Sequence, residues 1–143
     1  MVRSGSAKWT GGLRTGQGTL STESGAVSNV SYSFSKRFES EQGTNPEELI
    51  GAAHASCFSM ALSAMLEGAG HSPESVETSA GVTVEKVGEG FSITKIQLDT
   101  VVDCPGLGQG EFEDIAAKAK AGCPVSRALA VDISLNAKLT SNV

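Results

Sequence analysis

Apolar and polar positions alternate with a period of two near both ends of the chain and lose that period in between. Tyr32, Phe34 and Phe38 alternate with Ser33, Ser35 and Arg37, and Val131, Ile133, Leu135, Ala137 and Leu139 alternate with polar neighbours, the pattern of half-buried strands. With Gly11, Gly12, Gly16 and Gly18 as punctuation, the first 40 residues read as strands and turns. That reading puts Arg37 on the face opposite the aromatic side chains. Val76–Val87 and Phe91–Val102 read as two more strands, joined through Gly88-Glu89-Gly90 as a hairpin loop.

The middle of the chain follows helical rules. Asn45 is placed to be an N-cap, Pro46 to fill the first helical position and Glu48 to take the capping-box position. From Leu49 to Leu66 there is no Lys, Arg, Asp or Glu, and Glu67-Gly68 closes the run. Such a stretch is long enough for a membrane span, but His54, several small polar or glycine positions and the acidic first turn argue against one. A helix apolar on nearly every side is instead expected at the centre of a fold. In a chain this short, burying it needs either a sheet wrapped over it or a partner subunit. A second helix is expected over Gly110–Ala121, with Phe112, Ile115, Ala116 and Ala119 on one face and Lys118 and Lys120 near its end. Gly122 stops it, and Cys123-Pro124-Val125-Ser126 begins a further short helical turn. The order is βββ-α-ββ-α-β, an α+β class with a mostly antiparallel sheet and a long central apolar helix, in a single domain over 1–143.

Composition narrows the function. The 143 residues are 39% apolar and 19% charged, with a net charge of −5. An acidic chain is a poor binder of nucleic-acid backbone. Aromatic residues make up only 5%, so the core must be largely aliphatic, and some apolar surface is expected to meet another chain. No apolar segment follows Met1–Ser6, so a secretory signal is not expected and the reading is cytoplasmic. In that compartment Cys57, Cys104 and Cys123 are expected as thiols rather than as a permanent disulfide framework.

Two of those thiols occupy unusual places. Cys123 is the expected N-cap of a helical turn, where free N–H groups favour a thiolate. Cys57 lies mid-helix without such help, and burial alone would raise its pKa and silence it. To react it needs a cation, for which Arg37 is the best candidate. Attack of a thiolate on peroxide yields a sulfenic acid, which a second thiol condenses into a disulfide. Cys57 and Cys123 suit those two roles, but spacing alone leaves open that both are small buried apolar residues. A metal site built from His54, Cys57, Cys104 and Cys123 is a third reading, weakened by the absence of any short C-x-x-C spacing. Otherwise His54 reads as a hydrogen-bonded core histidine and His71 as solvated in a turn.

The runs Gly43-Thr44-Asn45-Pro46-Glu47-Glu48-Leu49-Ile50-Gly51-Ala52-Ala53-His54-Ala55-Ser56-Cys57-Phe58-Ser59-Met60-Ala61-Leu62 and Lys118-Ala119-Lys120-Ala121-Gly122-Cys123-Pro124-Val125-Ser126 closely resemble the osmotically inducible protein C (OsmC) family. Gly18-Thr19-Leu20-Ser21-Thr22-Glu23-Ser24-Gly25 resembles it too, so the likeness covers nearly the whole chain. It implies a thiol-dependent peroxidase acting on organic hydroperoxides and hydrogen peroxide, built as an intertwined homodimer with its active site at the subunit interface. By the same resemblance Cys57 is the peroxidatic thiol and Cys123 the resolving one, while Arg37 and Glu47 organise the thiolate. Arg14, in Gly12-Leu13-Arg14-Thr15-Gly16, is the rival for the arginine role, because the sister group of organic hydroperoxide resistance proteins takes its arginine from a Gly-rich N-terminal segment. The reductant is expected to be a dithiol, small or protein-borne, lipoyl-type in the sister group. Neither cofactor nor metal is implied, and no nucleic-acid or membrane partner. Phe38, Phe58 and Leu107 are candidates for the apolar lining of the site, and Cys104 is a bystander in a Cys-Pro-Gly turn.

Helix geometry adds one constraint. Glu47 and Cys57 are ten residues apart, which in one continuous helix separates them by roughly 15 Å along the axis. If Glu47 bears on the thiol, a partner subunit must deliver it.

Overall fold

The computed structural model of the chain describes residues 1–140. It resolves into two compact units, Met1–Leu49 and Ile50–Val143. The first holds strands β1 (Gly5–Thr10), β2 (Gln17–Thr22) and β3 (Val30–Tyr32), a short helix α1 (Phe34–Phe38) and the opening turn of α2 (Pro46–Gly68). The second contains the rest of α2, strands β4 (Ser75–Val87) and β5 (Gly90–Asp103), helices α3 (Gln109–Gly122) and α4 (Pro124–Ala128), and strand β6 (Asp132–Leu139).

In the first unit the three strands form an antiparallel sheet in the order β1-β2-β3. Gly18 on the middle strand pairs with Trp9 on one side and Tyr32 on the other. The rings of those two residues approach to 5.4 Å between centroids. A Cβ at Gly18 would lie 2.6 Å from the Tyr32 ring and 2.7 Å from the Trp9 ring. Glycine is therefore required there by the close approach of the two rings, not by backbone freedom.

The period-two reading fails just after β3. Phe34–Phe38 is a helix and not the continuation of a strand. Ser33 caps it, its side chain accepting a hydrogen bond from the Lys36 N–H at 3.3 Å. Phe34 and Phe38, four residues apart, then share one face with rings 5.2 Å apart. Apolar residues at i and i+4 fit either period over so short a span, and the cap decides between them. Arg37 consequently does not face away from the aromatics: its guanidinium lies 4.8 Å from the Phe38 ring centroid.

Helix α2 starts as its sequence dictates. The Glu48 N–H donates to Asn45 Oδ1 at 2.8 Å, while the Glu48 carboxylate accepts from Thr44 Oγ1 at 3.0 Å. In the second unit β4 and β5 form a long antiparallel hairpin, turned through Gly88-Glu89 with Gly88 at a φ of 63°. Strand β6 pairs with β5 in parallel, the one parallel ladder among the described residues. Helices α3 and α4 supply the crossover that a parallel pair needs. The mostly antiparallel α+β class holds, as two three-stranded sheets.

The core of the second unit gathers Phe58, Leu62 and Leu66 of α2, Ile96, Leu98 and Val102 of β5, Leu107, and Phe112, Ile115, Ala116 and Ala119 of α3. The face foreseen for the second helix is the one buried. Gly51 lets α2 approach β4, since a Cβ there would stand 3.0 Å from the Ala80 carbonyl oxygen. Polar links cross the same contact: Ser59 Oγ donates to Thr78 Oγ1 at 2.7 Å, and Thr78 Oγ1 lies 2.9 Å from Thr100 Oγ1. By length and composition α2 could cross a membrane, but its His54–Phe58–Leu62–Leu66 stripe is fully buried, three of the four side chains within the core of the second unit. The opposite side, with Ser56, Met60 and Ala64, is exposed and uncharged, Met60 at 78%.

Candidate active site

Each unit holds one constellation of chemical groups. In the second unit, α2 brings Cys57 to the start of α4. Cys123 caps α4, its sulfur accepting the Ser126 N–H at 3.3 Å, with Pro124 at the first helical position. Cys57 is near enough to the Cys123 thiol and the Val125 backbone for both to act on its ionisation. No disulfide joins the three cysteines, of which Cys57 is half-buried and Cys104 and Cys123 are buried. The pair foreseen from sequence therefore meets in space, 66 residues apart in the chain, because the α3–α4 crossover returns to α2.

Burial pushes the Cys57 thiol above its ordinary range, and the neighbouring Cys123 pushes in the same direction; the Val125 backbone hydrogen bond opposes them. The groups acting on Cys57 within this unit thus hold it as a thiol. Cys104 is raised as well, by burial first and then by the charges of Asp103 and Glu74. It sits fully buried in the core, apart from the two cysteine motifs, as its place in the Cys104-Pro105-Gly106 turn suggested.

Behind Cys123 the buried polar groups continue. Ser126 Oγ lies 3.1 Å from Cys123 Sγ and 2.7 Å from His54 Nε2. Nothing along the chain signals this contact: the cap spacing ties Ser126 to Cys123, but positions 54 and 126 are separated by 72 residues. His54 is a buried, hydrogen-bonded core histidine, as expected, and burial holds its pKa below the ordinary value. Among the described residues no group of three or more His, Cys, Asp or Glu side chains is arranged to hold a metal ion. His71 does not stand free in solvent, for its Nε2 is 3.2 Å from Glu111 Oε2.

In the first unit Arg37 and Glu47 form a forked pair. Arg37 Nη2 lies 2.7 Å from Glu47 Oε1, and Nε donates to Oε1 at 2.9 Å and to Oε2 at 3.2 Å. The carboxylate is nearly buried and the guanidinium about a third exposed, so Glu47 fixes the fork while Arg37 keeps a free edge. That edge borders a pocket of about 230 Å³ lined by Trp9, Leu13, Tyr32, Ser33, Phe34 and Phe38. Phe38 lines it as foreseen. Phe58 and Leu107 do not, because both are fully buried in the core of the second unit. Trp9, Leu13 and Tyr32 were not anticipated, since only the pairing of β1, β2 and β3 brings them beside α1. Arg14 lies 4.4 Å over the Phe34 ring, whereas the carboxylate partner belongs to Arg37.

The family model described as OsmC-like protein matches residues 39–138. The chain is 54% identical over 139 residues to the peroxiredoxin OsmC of Escherichia coli (strain K12), covering 97% of each. Among solved structures it is similar to an organic hydroperoxide resistance protein OsmC from Legionella pneumophila, 28% identical with a TM-score of 0.64, covering 98% of this chain and 97% of that one. It also shares its fold with an OsmC-like protein of unknown function from Vibrio cholerae, at 18% identity and a TM-score of 0.74, over 96% and 99% of the two chains. The chain belongs to the OsmC-like protein family.

Proposed function

We propose that this chain is a thiol-dependent peroxidase that reduces organic hydroperoxides, and hydrogen peroxide, to alcohols or water. The observation that carries the reading is the meeting of the Cys57 and Cys123 thiols beside the first turn of α4. The names of the relatives, a peroxiredoxin and an organic hydroperoxide resistance protein, support the same chemistry.

In this reading Cys57 is the peroxidatic thiol. Its thiolate attacks the terminal peroxide oxygen, the O–O bond breaks, and alcohol or water leaves with a proton. Cys57 is left as a sulfenic acid, which Cys123 converts to a disulfide with release of water. A dithiol, small or protein-borne and of lipoyl type as in the sister group, then restores both thiols. Neither cofactor nor metal enters the cycle.

Arg37, held by Glu47, supplies the cation that Cys57 needs and grips the peroxide as charge develops on the leaving oxygen. The apolar pocket beside Arg37 suits the alkyl group of an organic hydroperoxide. We assign the pair to a site completed in a homodimer, with Arg37 and Glu47 of one copy serving Cys57 of the other. The exposed, uncharged side of α2 supports such a dimer, because an apolar helix face of this length is rarely left to water. Residues 1–143 act in this reading as one domain in the cytoplasm, with no nucleic-acid or membrane partner.

Mass spectrometry after one equivalent of an alkyl hydroperoxide tests the assignment. The expected product has lost two hydrogens, localised to a Cys57–Cys123 disulfide. Cys123→Ala should consume one equivalent and then over-oxidise at Cys57. An intact pair of thiols after complete loss of the peroxide would overturn it.

A further inference from the structure

The buried polar chain behind Cys123 has no part in the cycle as described so far. On the inner stripe of α2 the residues following His54 at four-residue intervals are Phe58, Leu62 and Leu66, all apolar and fully buried. His54 is equally buried, and its Nδ1 has no hydrogen-bond partner among the described residues. An imidazole satisfied on one side only is costly in such a place, and an apolar side chain would fill it at lower cost. What distinguishes the position is its reach: Nε2 is 2.7 Å from Ser126 Oγ, which is 3.1 Å from Cys123 Sγ. The Ser126 N–H, 3.3 Å from the same sulfur, fixes that sulfur beside the hydroxyl.

We propose that His54 and Ser126 form a proton relay that activates Cys123 when it resolves the oxidised Cys57. The inference rests on the roles given to the two cysteines above. As Cys123 Sγ attacks the Cys57 sulfenic sulfur, its proton passes to Ser126 Oγ and the serine hydroxyl proton passes to His54 Nε2. The electron pair of the Cys123 S–H bond becomes the S–S bond. The pair of the Cys57 S–O bond leaves with hydroxide, which becomes water by taking the relayed proton back from His54 along the Ser126 hydroxyl. The Cys57 sulfur is reduced and the Cys123 sulfur oxidised to the common disulfide level, and no outside oxidant is needed. The relay uses the tautomer that carries its proton on Nδ1. Desolvation favours the neutral imidazole, so Nε2 keeps the lone pair that takes the serine proton in passing and gives it up again. Ser126 touches the reacting sulfur; His54 acts through it as a positioning residue.

The test is a single turnover. Reduced protein is mixed with one equivalent of cumene hydroperoxide and quenched at intervals with a dione that traps sulfenic acid, and trapped Cys57 and the Cys57–Cys123 disulfide are counted by peptide mass spectrometry. Ser126→Ala is expected to slow disulfide formation relative to sulfenic acid formation by at least about a hundredfold, the low end of general acid–base effects. Ser126→Thr, which keeps the hydroxyl, should restore most of the ratio. His54→Gln, which can hydrogen-bond but takes up no proton at neutral pH, should slow it as Ser126→Ala does. An unchanged ratio in His54→Gln, or a Ser126→Thr protein as slow as Ser126→Ala, overturns the relay. If the parent protein forms no sulfenic acid at Cys57, the peroxidase reading falls first and takes the relay with it.

Discussion

The two units prepare reactive groups under opposite conditions. In Ile50–Val143 the sulfurs lie in low-dielectric surroundings, and what acts on Cys57 is a second thiol and a backbone amide, with burial raising its pKa. In Met1–Leu49 the guanidinium of Arg37 is about a third exposed and already ion-paired, at the edge of an aromatic pocket. A buried thiol without a cation is inert, and an arginine fork without a nucleophile is only an anion site. The difference teaches that neither unit carries the proposed chemistry alone. It also explains why Glu47, remote along α2 from Cys57, belongs to the arginine and not to the thiol of its own helix.

The largest effect should come from the sulfur side. Cys57→Ala is expected to lower multiple-turnover peroxidase activity by at least about 10³-fold, as loss of a nucleophile does, in an assay coupled to dithiol oxidation. Retained turnover would remove the thiol region from the chemistry altogether. On the arginine side, Arg37→Ala should lower kcat/KM by about 10²-fold, the scale for losing one preorganised charge-stabilising donor. Arg37→Lys should restore little, because a point charge cannot reproduce the fork to Glu47. Titration of the Cys57 thiolate by its ultraviolet absorbance sharpens the point: if Arg37 of a partner serves Cys57, the Arg37→Ala protein should titrate at higher pH than the parent. Equal titration curves would separate the two regions.

A smaller effect concerns stability. The His54 pKa is lowered in the folded chain by burial, so on acidification the unfolded chain takes up its proton first, near the ordinary value of 6.5. Stability contributed by neutral His54 is therefore complete above that pH and declines as pH falls below it. The melting temperature should drop between about pH 6.5 and pH 5, and His54→Gln should flatten that slope. The smallest effect is expected at Cys104. Cys104→Ala should cost about 1 kcal/mol in denaturant unfolding, for one buried small group, and leave peroxide turnover within about twofold of the parent.

Much of the fold could be read along the chain because its determinants are local. Asn45-Pro46 starts α2, Gly88-Glu89 turns the β4–β5 hairpin, and Cys123-Pro124 starts α4. Where two local signals competed, over Phe34–Phe38, period alone misled: five residues are too few to separate a period of two from one of 3.6, and Ser33 settled it by capping. Arg37, the residue expected to supply the cation, was placed on the wrong element and the wrong face. The lining of its pocket was misjudged for the same reason, since Phe58 and Leu107 are apolar residues of the other unit's core.

By itself, then, the sequence determined the α+β order of elements, the cap that makes Cys123 unusual, the absence of charge along α2 and the cysteine motifs by which the family is recognised. These depend on neighbours a few residues apart, and their physics is that of caps, turns and periodicity. Only the tertiary structure decided that Cys57 meets Cys123, that Arg37 is clasped by Glu47, and that His54 reaches Ser126 across 72 residues. The contacts of Cys123 and Ser126 exist because the crossover through α3 and α4 must lay β6 parallel to β5 while burying α3 on the sheet, whereas the Arg37–Glu47 pair joins α1 to the first turn of α2. No local pattern encodes where such a crossover sets a side chain down.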